Sequence, residues 1–200
     1  MKVGMIFECG PQGADKLICE YFAHALRPEV KISAITLDNK ANLLRDAGKA
    51  AKQLIDDGCC CVLIIWDLRP AWPDKKSKPC RVAESDAIKT SLLTAGVAKN
   101  ASVHLICIEQ ELESWLLANE RAIAAYLSTE SRKYVVTKTK KPDAVAQPKA
   151  VMINHFKQAR GWIYDDKVNA LKVIKSTDLD LARMRNSTSF ARFEQKLLAC

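Results

Sequence analysis

Two carboxylates directly follow apolar segments, where the end of a β-strand would place them. Glu8 comes after residues 2–7, and Asp67 comes after the continuous apolar run 59–66. In open parallel sheets, sites form beyond the carboxyl ends of the strands. Carboxylates at that edge offer the oxygen ligands that Mg²⁺ or Mn²⁺ takes together with water and phosphate oxygens. Glu8 and Asp67 are therefore predicted to be metal ligands and catalytic carboxylates.

More glutamates follow the apolar segment 102–108. Glu109 and Glu113 are four residues apart and share one face of a regular helix, whereas Glu111 lies roughly opposite. A helix that is regular from Glu109 therefore does not bring all three to one ion. Glu111 and Glu113 are kept as candidate metal ligands, and each has an equal alternative as a surface helix residue.

The residues after Glu8 form a glycine-containing turn that leads into a helix. Backbone amides at a helix start can hold a phosphate, which makes Gly10 and Gly13 candidate phosphate-binding residues. The turn is too short for a P-loop and lacks its Gly-Lys-Ser/Thr ending. Asp15, in the first helical turn, is either a second ligand or a charge that favours the helix dipole. Thiol catalysis by Cys9 is disfavoured because no histidine is well placed beside it.

The chain is basic, and its positive charge is unevenly distributed. The formal net charge is +8, and the excess is concentrated in two regions, residues 75–81 and residues 132–149. Such a surface suits a polyanion, although an ordinary solvated lysine face explains it equally well. The predicted nucleic-acid-binding residues here are Lys138, Lys140, Lys141 and Lys149.

The cysteines and the hydropathy pattern predict a cytoplasmic protein without a membrane anchor. There are eight cysteines, of which Cys59, Cys60 and Cys61 are consecutive on a predicted strand and point to alternating faces. No CxxC pair exists, so reduced thiols are expected rather than disulfides or a zinc site. No apolar run reaches the roughly 18 residues of a membrane-spanning helix. Residues 1–7 fit a first strand better than a signal peptide.

Elements that alternate between strand and helix must position these residues. Strands are predicted at 2–7, 30–36, 59–66 and 102–108, with helices at 13–26, 41–56, 83–95 and 109–127, the last broken near Asn119. This order predicts an α/β fold with a mostly parallel sheet of about four strands and helices on both faces. The predicted core is 1–127. Residues 128–200 are predicted to form a basic loop and a helical extension packed on the same domain.

Several motifs in this order resemble the Toprim-like superfamily. They are the strand followed by Glu8, Cys9 and Gly10, the strand followed by Asp67, and the segments 111–117, 141–149 and 187–193. The likeness is to a small stand-alone prokaryotic branch of unknown function, related to the Toprim domains of overcoming-lysogenization-defect nucleases. The motifs are short, but together they span most of the chain.

The resemblance implies magnesium-dependent phosphodiester chemistry. Members of the superfamily, which include topoisomerases and primases, use a Glu after the first strand and a later Asp-x-Asp. Glu8 would then be the general acid/base or a metal-linked carboxylate, and Asp67 the first Asp. Arg69 stands where the second Asp is expected. One ligand is thereby lost, so that Glu111 or Glu113 would hold the metal instead, or Arg69 would contact a phosphate.

The leading functional hypothesis is a nuclease or phosphoryl-transfer domain that acts on nucleic acid in defence against mobile elements. The alternative is a non-catalytic nucleic-acid or protein-binding module on a degenerate Toprim-like fold, which Arg69 favours. A small-molecule enzyme on a generic doubly wound fold is a third hypothesis, although no dinucleotide fingerprint is present. A homodimer and a partner ATPase are the protein partners considered.

Overall fold

The computed structural model describes residues 1–71, 78–98 and 101–200. The chain divides into two compact units. Residues 1–107 and 192–200 form the first, here called the sheet unit, and residues 108–191 form the second, here called the helical unit. Each unit is described by itself below.

The predicted alternation of strands and helices is confirmed. The order is β1 Lys2–Phe7, α1 Ala14–Leu26, β2 Lys31–Thr36, α2 Lys40–Asp56, β3 Cys61–Asp67, α3 Arg81–Thr94 and β4 Val103–Ile108. The strands form one parallel sheet in the order β2-β1-β3-β4. Strand β3 is buried along almost its whole length, which explains its uninterrupted apolar sequence. The predicted α/β fold with about four parallel strands is therefore correct.

The strand order reverses at β1, and this reversal determines where a site can form. β1 pairs with β2 from Lys2↔Lys31 to Phe7↔Thr36, and with β3 from Val3↔Cys61 to Phe7↔Ile65. The chain therefore moves from β1 to one neighbour and later returns to the other. Right-handed crossovers place α1 and α2 on opposite faces of such a sheet. A crevice then opens at the carboxyl ends of β1 and β3.

One face of the sheet packs against α2 and α3. The buried cluster includes Leu43, Ala47 and Leu54 of α2, Ile88 of α3, and Ile64 of β3. The two helices approach closely at Gly48, where an added Cβ would lie 2.0 Å from the Ser91 carbonyl oxygen. Only glycine fits at this position, so the contact fixes how α2 is held against the sheet.

The helical unit follows β4. Its elements are α4 Glu113–Leu117, α5 Glu120–Leu127, a 3-10 turn Pro142–Ala144, α6 Pro148–Arg160, α7 Asp166–Ile174, α8 Leu181–Met184 and the start of α9 Thr188–Leu198. The break predicted near Asn119 is present, because the Asn119 side chain accepts a hydrogen bond from the Ala122 N–H and caps α5. The Asp143 carboxylate, from the 3-10 turn, accepts a hydrogen bond of 3.0 Å from the Ser189 N–H at the start of α9.

One prediction about the cysteines is wrong. Cys61 and Cys200 form a disulfide, although both thiols were expected to be reduced. The other six cysteines are free. The pairing could not be read from spacing, because 139 residues separate the two positions. Within the described ranges, no helix is both long enough and apolar enough to cross a membrane.

Candidate metal-binding carboxylate site

The sheet brings the two predicted catalytic residues together. Glu8 directly follows β1, and Asp67 is the last residue of the adjacent strand β3. The Asp67 backbone N–H donates a hydrogen bond of 3.2 Å to Glu8 Oε1. This contact follows from the parallel register, which pairs Phe7 with Ile65 just before both strands end.

A cavity of about 270 Å³ opens beside Glu8. It is lined by Glu8, Cys9, Asp15, Asp38, Asn39, Lys40, Pro70 and Ala71. Three of these side chains are acidic and one is basic. A cavity with this excess of carboxylates attracts a cation and repels a free anion.

The lysine in the cavity donates its two shortest hydrogen bonds to backbone carbonyls. Lys40 is buried, and its Nζ donates to the carbonyls of Leu68 at 3.0 Å and Pro70 at 2.6 Å. It also lies 3.5 Å from Glu84 Oε1. Lys40 therefore holds the segment that follows Asp67.

Glu84 completes this arrangement from α3. Its Oε2 accepts a hydrogen bond of 2.8 Å from Trp66 Nε1, one residue before Asp67. Both Glu84 and Trp66 are buried. Sequence reasoning missed Lys40 and Glu84, since a lysine at a helix start and a glutamate in a helix are ordinarily solvated.

The charge of Glu8 is only partly compensated within its surroundings. Burial raises the pKa of Glu8, the charge of Lys40 lowers it and the charge of Asp15 raises it, and the resulting pKa is about 8. Within the part of the chain that the structure describes, the buried Glu8 Oε2 has no hydrogen-bond partner. An unpartnered carboxylate oxygen in an acidic cavity fits a divalent cation, which would replace the proton that Glu8 otherwise keeps.

The number of protein ligands limits the kind of ion. Residues 1–71, 78–98 and 101–200 contain one group of three metal-ligating side chains whose ligand atoms lie within 4.8 Å of one another. Its members are Cys61, His104 and Cys200. Glu8, Asp67 and Asp15 do not form such a cage. Mg²⁺ is commonly held by one or two carboxylates and keeps several waters, so the pair Glu8 and Asp67 still suits it.

Cys9 fills the turn at the start of α1. The Gly13 N–H donates to the Gly10 carbonyl at 2.8 Å, and a Cβ on Gly13 would lie 2.3 Å from Cys9 Sγ. Burial and the nearby Asp15 raise the pKa of the Cys9 thiol to about 12, so it stays protonated and is not a nucleophile. Because the Gly13 amide is used within the turn, phosphate binding by Gly10 and Gly13 stays a prediction.

The other predicted anion-binding residues differ in their environments. Arg69 is exposed in the segment held by Lys40, and Lys138, Lys140 and Lys141 are exposed in the helical unit. Lys149 is engaged within the helical unit, where its Nζ lies 2.8 Å from Asp166 Oδ1. Exposed lysines are compatible with a polyanion, and their role stays a prediction.

Lys149 also contacts the two predicted glutamate ligands of the helical unit. Its backbone N–H donates to Glu111 Oε2 at 3.3 Å, and its Nζ lies 4.0 Å from Glu113 Oε1. Burial raises the pKa of Glu113 to about 7, and Lys149 opposes that rise. Glu111 and Glu113 therefore lie in one cluster with Lys149 and Asp166. Their assignment as metal ligands stays a prediction.

The chain belongs to the family described as Domain of unknown function (DUF4276), whose model matches residues 12–198. The matched segment includes Asp67, Glu111 and Glu113 and begins after Glu8. Searches of curated proteins and of solved structures gave no significant match.

Proposed function

We propose that this chain is a divalent-metal-dependent enzyme that cleaves or transfers phosphodiester groups of nucleic acid. Glu8 and Asp67 would hold the metal, either Mg²⁺ or Mn²⁺. The observation that carries the proposal is the buried, unpartnered oxygen of Glu8 beside Asp67, where the strand order reverses. Oxygen ligands of this type and number suit a hard cation that retains water.

The chemistry follows from the charges at the site. A divalent cation bound there would supply a water of lowered pKa and neutralise a phosphate. Without a cation, the acidic lining of the cavity repels phosphate, so substrate binding is expected to depend on the metal. Without a cation the pKa of Glu8 is about 8, so binding of the cation near neutral pH is expected to release the proton of Glu8.

The choice of nucleic acid as substrate rests on two further observations. The chain is strongly basic, and Lys138, Lys140 and Lys141 are exposed, so they can contact a phosphate backbone. The motifs around Glu8 and Asp67 resemble Toprim-like proteins, whose chemistry is phosphodiester transfer. A role in defence against mobile elements is proposed from that resemblance alone.

A non-catalytic binding module is the second candidate. Arg69 is exposed two residues after Asp67, where Toprim-like enzymes carry a second Asp. The loss of one carboxylate and the gain of a cation would weaken metal binding and favour a phosphate contact.

The test combines metal binding and cleavage in isosteric variants. Mn²⁺ affinity is measured by calorimetry, and cleavage is measured on labelled single-stranded and double-stranded DNA and RNA. Glu8→Gln and Asp67→Asn are expected to weaken Mn²⁺ binding at least tenfold and to lower cleavage about a hundredfold or more. Glu29→Gln, at an exposed position, is the control and is expected to behave like the wild type.

Two outcomes would count against the enzyme. Wild-type cleavage rates in both site variants would remove Glu8 and Asp67 from the mechanism. Binding without cleavage, with an affinity that falls steeply as salt increases, would support the second candidate instead.

A further inference from the structure

Three soft ligand atoms meet in the sheet unit, away from the carboxylates. The Sγ atoms of Cys61 and Cys200 and a ring nitrogen of His104 all lie within 4.8 Å of one another. Cys61 is buried, and the other two residues are half-buried. The proposed function uses none of them.

The fold explains why these residues meet. Cys61 begins β3, and the Val62 N–H donates to the Ser102 carbonyl at 2.8 Å, which sets the start of β4 alongside. Val62 and Val103 belong to the cluster packed on α2 and α3, so Cys61 and His104 point to the opposite face. Cys200 follows the end of α9 and is joined to Cys61.

We propose that these three residues form a zinc site when the disulfide is reduced. Two thiolates and one imidazole are a ligand set that zinc takes in proteins, with a fourth position open to water or another ligand. The His104 Nε2 lies 3.3 Å from Ser102 Oγ, and a ring nitrogen of His104 also lies within 4.8 Å of both sulfurs. A zinc ion would use all three ligand atoms.

Zinc binding and the disulfide exclude each other. Zinc–sulfur bonds of roughly 2.3 Å in a tetrahedral site hold two sulfurs roughly 4 Å apart, about twice the length of a disulfide bond. A dithiol reductant supplies two electrons and two protons, the S–S bond breaks, and two thiols form. Zinc then displaces the two thiol protons. A disulfide oxidant reverses the change, taking up two electrons as the S–S bond forms and zinc leaves.

The site differs from the carboxylate site in position and in chemistry. Cys61 is at the amino end of β3, whereas Asp67 is at its carboxyl end. Sulfur and nitrogen ligands select zinc, whereas carboxylates with water select Mg²⁺ or Mn²⁺. Each of the two proposals can therefore be tested independently of the other.

Cobalt provides a spectroscopic test on the full chain. Co²⁺ replaces zinc and gives a thiolate-to-metal absorption band that carboxylate ligands do not produce. The protein carrying Glu8→Gln and Asp67→Asn, reduced with a phosphine, is expected to bind one Co²⁺ with this band, and Zn²⁺ is expected to bleach it. Cys200→Ser leaves one thiolate ligand and is expected to lower both the intensity of the band and the Co²⁺ affinity, the latter at least tenfold, and His104→Ala is also expected to weaken Co²⁺ binding at least tenfold.

The matched control is Cys60→Ser. Cys60 neighbours Cys61 but is exposed, and its Sγ contacts the Lys2 carbonyl oxygen instead. The band is expected to survive this change. Absence of the band in the reduced protein, or an unchanged band and Co²⁺ affinity in Cys200→Ser, would overturn the zinc site.

An alkylation measurement needs no variant of the site and so does not depend on its folding. In the reduced wild-type protein, Zn²⁺ is expected to slow the alkylation of Cys200 at least tenfold and to leave that of Cys60 unchanged. Equal rates at Cys200 with and without Zn²⁺ would also overturn the proposal.

Discussion

Two glutamates, the half-buried Glu8 of the sheet unit and the buried Glu113 of the helical unit, differ in how far a nearby cation compensates their charge. In the helical unit, Glu113 lies 4.0 Å from Lys149 Nζ, and the same lysine pairs with Asp166 at 2.8 Å. In the sheet unit, Glu8 has no such ion pair within the described residues. The buried lysine beside it, Lys40, donates its hydrogen bonds to two backbone carbonyls.

This difference indicates which cluster needs an external cation. Burial raises the pKa of both acids, to about 8 for Glu8 and about 7 for Glu113. The Glu113 cluster already contains a cation, Lys149, which lies beside both Glu113 and Asp166. The Glu8 cluster contains three acids and a lysine that is otherwise engaged. We therefore expect an added divalent cation to act on Glu8 first.

The largest expected effect comes from Lys40→Met. This change leaves the buried Glu84 without its cation and two carbonyls without their donor. Breaking a buried ion pair in this way is expected to lower the free energy of unfolding by about 3–5 kcal/mol. Urea denaturation measures it, with Lys52→Met at an exposed position of α2 as the control. A loss below about 1 kcal/mol would mean that Lys40 is a loose counter-ion, and the comparison with Lys149 would fail.

Glu8→Gln is expected to stabilise the fold at high pH. The pKa of Glu8 is about 8 in the folded state and 4.5 ordinarily, so between these values the folded chain binds more protons than the unfolded chain. Protonated Glu8 therefore favours the folded state. This contribution to stability is fully present below pH 4.5 and is lost as the pH rises through 8. At pH 8 the variant is expected to have a melting temperature several degrees above that of the wild type, since each kcal/mol corresponds to about 2–4 °C. At pH 4.5 the two proteins are expected to have the same melting temperature.

Added Mn²⁺ tests whether Glu8 binds a metal ion. It is expected to raise the melting temperature of the wild type at pH 8 and not that of Glu8→Gln, because binding to the folded state stabilises it. Glu29→Gln should follow the wild type under every condition. If Glu8→Gln melts lower than the wild type at pH 8, the charge of Glu8 is compensated after all.

A smaller effect is expected from Lys149→Gln, which makes the helical cluster resemble the Glu8 cluster. Because Lys149 is 42 % exposed, we expect a loss of about 1 kcal/mol at pH 8. Without Lys149 the pKa of Glu113 rises further above 7, so the loss grows as pH increases and is smaller at pH 5. Thermal melts at both pH values measure this loss of stability. The double variant Lys149→Gln with Glu113→Gln should recover part of the lost stability. A loss that does not depend on pH would instead point to lost packing of the Lys149 side chain.

The pair Glu8 and Asp67 was predictable from sequence, whereas its surroundings were not. The apolar runs before each residue fixed where β1 and β3 end, and parallel pairing brings those ends together. Lys40 could not be predicted to be buried, because its partners are carbonyls of a distant loop. The group Cys61, His104 and Cys200 has no spacing motif, and only the folded sheet brings its members together.

The smallest expected effect is that of Glu111→Gln, which tests whether the helical cluster supplies a metal ligand. Glu111 accepts a hydrogen bond from the Lys149 backbone N–H, and an amide oxygen can accept it as well. We therefore expect the free energy of unfolding to change by no more than about 0.5 kcal/mol. Mn²⁺ affinity should change less than twofold, against at least tenfold for Asp67→Asn. A tenfold loss in Glu111→Gln would show that this carboxylate binds the metal, and charge compensation would then no longer separate the two clusters.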